Sequence, residues 1–427
     1  MKKTLPAFIA LGFFLVSLIS TAQTHKCATM QILQQRIAKD PSALTRRAQS
    51  EAATQKWIAT NYQAKRRQQI VTIPVVVHVL YHAAVENIST AQIQSQIDIL
   101  NEDFRLMNAD ALTSSHPFYQ YAADVEVEFC LASRDPNGNA TTGITRTYTD
   151  SIEFAGYGAL QYTAAGGINN WDPTSYLNIW VCHLSANGPL GFAYPPSDLS
   201  SNPDEDGVVI RYEAFGNIGT AGTGTFTTNN LGRTATHEVG HWLNLSHIWG
   251  DNQPNCGDDL VSDTEPADEP NYGAPTFPHD AFSTCGTGAN GEMYMDYMDY
   301  SDDAEMAMFT IGQAQRMQAA LNGDRAGILT SLGCSSPSGI HDVLSQNSFD
   351  IYPNPTNGVF SIDLKFYNPK QTTSLSILNV LGETVKNIPV ISNNSIRIDA
   401  SELTNGVYYL QVKMVNRTET KKIFITK

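Results

Sequence analysis

His237, Glu238, His241 and His247 fall within one stretch, RTATHEVGHWLNLSHIWG, from Arg233 to Gly250. Two histidines four apart on a helix lie one turn above each other, so both imidazoles reach a single ion. Glu238, beside the first, then sits at the edge of that site. There it can polarise a water on the ion but is badly placed as a third ligand. His247 supplies the third imidazole. Three neutral imidazoles leave a tetrahedral Zn²⁺ one open position, as in a catalytic site, whereas a structural zinc is closed by four protein ligands. Two ordinary core histidines would need neither the intervening Glu nor the further His, so the metal reading is preferred. A continuous helix would carry His247 to the wrong side, so the chain must turn sharply after His241. Asn244 suits the left-handed conformation such a helix end requires.

This HExxH stretch closely resembles the metzincins, which usually have glycine at the position of Asn244. The resemblance implies a methionine turn beneath the ion, and MYMDYMDYSDDAEMAMFT offers MDY at both Met295 and Met298. Met298 is chosen because MDYSDD followed by MFTxGQxxRM, Met308 to Met317, is similar to the pappalysin-type (ulilysin-like) branch. The same resemblance puts Tyr300 where related enzymes hold a tyrosine that binds the metal or the oxyanion. It implies a secreted, zinc-dependent endopeptidase made as a zymogen, in which Glu238 activates a zinc-bound water.

The elements that must position these residues are legible in the hydrophobic pattern. VTIPVVVHVLYH, after Ile70, reads as a buried strand. Ser89, with Gln92 as a capping box, opens a helix whose face is Ile93, Ile97, Leu100 and Phe104. Ala123 to Ser133, Tyr176 to Leu184 and Asp206 to Phe215 read as further strands. The resemblance makes Gly191, Phe192, Ala193 and Tyr194 the edge strand that pairs with extended substrate. A helix from about Ile311 to Leu321, capped by Thr310, closes a mixed α/β catalytic domain assigned to residues 68–334.

Residues 1–22 carry Lys2, Lys3 and an apolar run from Leu5 to Ile19, a secretory signal peptide too short and wrongly flanked to anchor in a membrane. No other stretch is apolar enough to span a bilayer. The net charge of −15 hides an asymmetry: +7 over residues 23–67, −27 over 68–348 and +3 over 349–427. So negative a body excludes nucleic acid as a partner, since phosphate binding needs a basic face. The basic segment 23–67 ends in Lys65-Arg66-Arg67 and resembles a pappalysin-type propeptide. The resemblance implies that Cys27 occupies the open zinc position, although Ala28 replaces the family's glycine, and that cleavage near Arg66 or Arg67 activates the enzyme.

Asp251, Asp258, Asp259, Asp263 and Glu265 lie in a polar loop that, with the family resemblance, suggests a structural Ca²⁺. The family also has a disulfide matching Cys256 and Cys285. Of the remaining cysteines, Cys130, Cys182 and Cys334, at least one stays free or pairs between chains. After a linker, 335–348, the short alternating strands of 349–427 indicate a small all-β, Ig-like sandwich. YPNPTNG, NVLGE, NGVYYLQV and the Lys-rich terminus closely resemble the C-terminal sorting domain of type IX secretion. That implies the type IX machinery as a partner and export through periplasm and outer membrane. The rival class, a zinc-containing surface adhesin without activity, has against it the presence of Glu238 and an open ligand position.

Overall fold

The computed structural model describes residues 26–61, 70–154, 158–251, 255–279, 285–286, 288–337, 349–364, 372–389, 395–414 and 418–427. The signal segment 1–22, the basic triplet Lys65-Arg66-Arg67 and most of the 335–348 linker lie outside these residues. The chain divides into two compact units between Ser338 and Gly339.

In the first unit two helices, α1 (Thr29–Lys39) and α2 (Ser42–Asn61), precede a six-stranded sheet. Its central strand, β1 (Val71–Tyr81), is buried from Ile73 to Leu80, which explains the unbroken apolar run: a strand covered on both faces has no polar side. Along β1 run β2 (Val127–Leu131), β3 (Ile144–Tyr148) and β4 (Leu177–Cys182), all parallel to it. β5 (Gly191–Ala193) and β6 (Val208–Arg211) complete the sheet in the order β2-β1-β4-β6-β5, with β5 alone antiparallel, at the edge.

Two expected strands are shorter than the alternation suggested. Glu126, at φ 59°, interrupts the Ala123–Ser133 run before β2. β6 ends at Arg211, whose buried guanidinium donates to Leu184 O, and the chain then turns through Tyr212–Ala214.

Helix α3 (Thr90–Phe104) is capped by Ser89, which accepts from Gln92 N, and buries Ile93, Ile97, Leu100 and Phe104. The expected capping box is half formed. The Gln92 amide donates to Phe215 O and Thr220 Oγ1 instead, tying down the loop after β6. Helix α4 (Arg233–Trp242), with every residue buried, lies against β5, β6 and α3. Helix α5 (Ile311–Leu321) opens with a complete capping box between Thr310 and Gln313. Cys130 pairs with Cys334 and Cys256 with Cys285, leaving Cys27 and Cys182 as thiols.

The second unit contains β7 (Phe349–Tyr352), β8 (Val359–Leu364), β9 (Thr372–Leu378), β10 (Thr384–Ile388), β11 (Ser395–Asp399), β12 (Gly406–Met414) and β13 (Thr418–Ile425). They form two antiparallel sheets, β10-β9-β12-β13 and β11-β8-β7. Phe360, Ile362 and Ile398 of one sheet share a core with Ile377, Leu410 and Ile423 of the other, as a sandwich requires.

Candidate metal centre and active site

Helix α4 carries His237 and His241 on one face, and the turn after Trp242 brings His247 back to them. Asn244 adopts φ 76°, the left-handed conformation expected of it. The Nε2 atom of His241 lies 3.1 Å from Nε2 of His237 and 3.1 Å from Nε2 of His247. Each opposite ring nitrogen faces an acceptor: His237 Nδ1 is 2.7 Å from Tyr297 O and His241 Nδ1 is 2.8 Å from Leu245 O. His247 Nδ1 is 2.5 Å from Asp251 Oδ1. The Nδ1 atoms must therefore donate, which points three Nε2 lone pairs at one another. Burial and neighbouring imidazoles hold the pKa of His237 well below its ordinary value and bring that of His241 down to about 3, so both rings are neutral. Converging lone pairs in a buried site repel unless a cation lies between them, and the residues fit Zn²⁺.

The fourth side of this cluster is taken by Cys27, whose Sγ lies with the three histidine nitrogens within 4.8 Å of one another. Cys27 reaches the site because its chain lies along β5. Leu190 N donates to Lys26 O at 2.8 Å and Ala28 N to Gly191 O at 3.1 Å. The edge strand expected to hold substrate is thus covered by the N-terminal segment, with Tyr194 just beyond its end. Gly191 is needed for β5 to pack this closely on β6 and α4: a Cβ there would meet Val209 O at 2.8 Å and Glu238 Cγ at 3.0 Å.

Glu238 is fully buried. Its Oε2 is 3.4 Å from Cys27 Sγ and accepts from Thr29 Oγ1 at 3.1 Å, while Oε1 has no hydrogen-bond partner among the described residues. Burial pushes its carboxyl up to about 8, against the two hydrogen bonds. Burial and the Glu238 charge also push the Cys27 thiol up, a shift that a cation at the histidines would oppose.

Met298 lies beneath α4, and a Cβ on Gly240 would come 2.5 Å from its Sδ. Met295, the other MDY methionine, belongs to a separate cluster with Phe118 and Met308. The Tyr300 hydroxyl donates to Cys27 O at 3.3 Å, and its ring lies 5.0 Å from that of His247.

The four aspartates expected to hold Ca²⁺ are not gathered. Asp251, at φ 56°, turns its carboxylate back onto His247. Asp258 accepts from Leu260 N, and Asp259 from Val261 N and Thr264 Oγ1. Asp263 binds Thr310 Oγ1 and Gly312 N at the start of α5. Asp258, Asp259 and Asp263 accept from local backbone or hydroxyl donors, as aspartates in turns commonly do, whereas Asp251 faces an imidazole.

Three site residues escaped the sequence reading. Trp249 stacks on His247 at 4.3 Å and 7°, fixing that ring. Thr29 links Glu238 to Ala193 N. Lys26 donates to Ser301 O at 3.0 Å and to Asp302 Oδ1 at 3.1 Å. Only Trp249, an aromatic two residues from His247, gave any local signal. The others depend on how the N-terminal segment folds back.

Two family models match the chain: pregnancy-associated plasma protein-A over residues 167–322 and the secretion system C-terminal sorting domain over 350–426. An extracellular metalloprotease of Arthroderma otae is 30% identical over 60% of this chain and 80% of its own length. One from Pyricularia oryzae is 30% identical over 74% of this chain and 96% of its own. Among solved structures, mature mirolysin of Tannerella forsythia with a cleaved peptide is 43% identical, with TM-score 0.59, over 64% of this chain and 100% of its own. Promirolysin of the same organism is 40% identical, with TM-score 0.63, over 71% of this chain and 97% of its own. With a type IX sorting domain at its C-terminus, the chain belongs to the pappalysin-type family of metalloendopeptidases.

Proposed function

We propose that the chain is the zymogen of a zinc endopeptidase in which His237, His241 and His247 hold the metal and Glu238 is the general base and acid. The observation that carries this reading is the convergence of three histidine Nε2 atoms beside a buried carboxyl with one oxygen unengaged among the described residues. Zinc, when bound, supplies Lewis acidity and brings the pKa of water towards neutrality. Glu238 takes the proton from the attacking water and later passes it to the leaving amine, one group serving both transfers. The Tyr300 hydroxyl, released from Cys27 O in the active form, is placed to donate to the developing oxyanion. Met298 forms the floor under α4, and Gly191 to Tyr194 offer backbone groups to extended substrate.

Latency follows from the same arrangement. Cys27 presents a sulfur ligand where water must bind and engages Glu238, so the N-terminal segment disables both at once. Cleavage near Arg66 or Arg67 releases it. The position of Lys26 supports a preference for a basic residue just after the cleaved bond. Its ammonium is held by Ser301 O and Asp302, beside a small cavity lined by His237, Glu238, Tyr300 and Asp303. Two other carboxylates near the methionine turn are engaged elsewhere: Asp296 accepts from Met298 N and Gln313, and Glu292 from Asn271. A structural Ca²⁺ draws no support from the dispersed aspartates, and the reading is made without it. The sorting domain supports export by the type IX machinery, with the signal peptide directing the first step.

The test is Glu238→Ala. The processed variant should fold and bind zinc as the parent does yet leave casein uncleaved, while parental hydrolysis stops with chelator. Retained hydrolysis in the variant would overturn the role of Glu238.

A further inference from the structure

Arg36 of α1 reaches into a site built entirely from the body of the enzyme. Its Nη1 lies 2.5 Å from Asp198 Oδ2, its Nη2 binds Glu205, and its guanidinium stacks 4.2 Å over the ring of Tyr194. The Asp198 side chain is only 3% exposed, and Arg36 is its sole side-chain partner among the described residues. Glu205 also accepts from the Tyr162 hydroxyl. Arg325, which donates to Tyr194 O, is already committed to both oxygens of Asp206 and does not replace Arg36. Departure of the N-terminal segment therefore uncovers two carboxylates and an aromatic face shaped around a guanidinium, and like charges so placed favour a new cation.

The site has a defined place along the cleft. The segment runs parallel to β5, with Lys26 at the Leu190 end, Cys27 beside Gly191 and Thr29 at Ala193. Arg36 then lies past the far end, at Tyr194, Asp198 and Glu205. From Thr29 to Arg36 the helix rises about 10 Å, which extended substrate spans in about three residues. If Lys26 marks the pocket after the cleaved bond, the Arg36 site lies on the upstream side.

We propose that Asp198, Glu205 and the Tyr194 ring form a second specificity subsite, which binds an arginine or lysine of the substrate about three residues before the cleaved bond. This rests on the endopeptidase reading and on the orientation that Lys26 gives the cleft. In the zymogen Arg36 occupies the subsite as Lys26 occupies the other, so a single segment blocks both charge-selecting positions and the metal.

The processed enzyme is assayed on quenched peptides carrying Lys after the cleaved bond, with Arg, Ala or Glu moved through the upstream positions. At the third or fourth upstream position kcat/KM should fall in the order Arg, Ala, Glu, with Arg over Glu by about tenfold or more, mainly through KM. In Asp198→Asn, and separately in Glu205→Gln at the more exposed rim, the Arg-to-Glu ratio should collapse towards unity. Equal rates for all three at every upstream position, or a ratio unchanged in both variants, would overturn the proposal. Failure of the endopeptidase reading would look different: no peptide would be cut in a chelator-sensitive way.

Discussion

Glu51→Ala should weaken latency without altering the mature enzyme. Glu51, on α2, receives two charge-assisted hydrogen bonds from Arg316 of α5, at 2.9 and 2.7 Å. The Arg316 side chain is 3% exposed and that of Glu51 25%. Truncating one partner of a buried, hydrogen-bonded charge pair costs about 2 to 5 kcal/mol. Partial exposure of Glu51 puts the expected loss at the low end, about 2 kcal/mol. If α2 docks reversibly, that loss raises the undocked population about 30-fold. Arg316 keeps weaker bonds to Asn244 O, so the turn carrying His247 should survive. Residue 51 is removed on activation near Arg66 or Arg67, so parent and variant give mature enzymes of identical sequence. The assay is the half-time of zymogen activation at fixed trace protease, with mature activity as the control. A half-time within about twofold of the parent would refute the claim that this ion pair holds the latch closed.

Gly240→Ala should lower stability by about 1 to 3 kcal/mol, because the new Cβ would sit 2.5 Å from Met298 Sδ in a filled core. Competition with a chromogenic chelator should show weaker zinc retention as α4 shifts; unaltered unfolding and retention would remove Met298 from its place as the floor. His78, fully buried between Thr145 and Asn178, has its pKa brought down to about 4 by burial. The unfolded chain takes up that proton near pH 6.5, so the contribution is fully present above 6.5 and is lost as pH falls towards about 4, up to about 3 kcal/mol. Denaturant titrations of His78→Gln across that window should show a shallower pH slope than the parent, and an equal slope would contradict the assignment.

The convergence of His237, His241 and His247 was legible because metal-site chemistry fixes such spacing: four apart on one helix, then a turn that needs a left-handed residue, found at Asn244. The central strand was legible because burial on both faces leaves an unbroken apolar run. Charge density in a loop says less about geometry: Asp251, Asp258, Asp259 and Asp263 are close in sequence but face separate local donors, information that lies in backbone direction and not in composition. The Cys130–Cys334 bridge joins residues 204 apart and follows only from the sheet. Likewise Lys26 and Arg36 gave no sign of their acidic partners, because those contacts exist only once the N-terminal segment lies along β5.

Zinc K-edge X-ray absorption on the purified zymogen, its processed form and Cys27→Ser tests the central claim most directly. The account predicts stoichiometric zinc in all three, with three imidazole nitrogens and one sulfur around it in the zymogen. The sulfur signal should vanish on processing and in Cys27→Ser. Absence of zinc from the processed protein, or a sulfur shell that persists without Cys27, would contradict it.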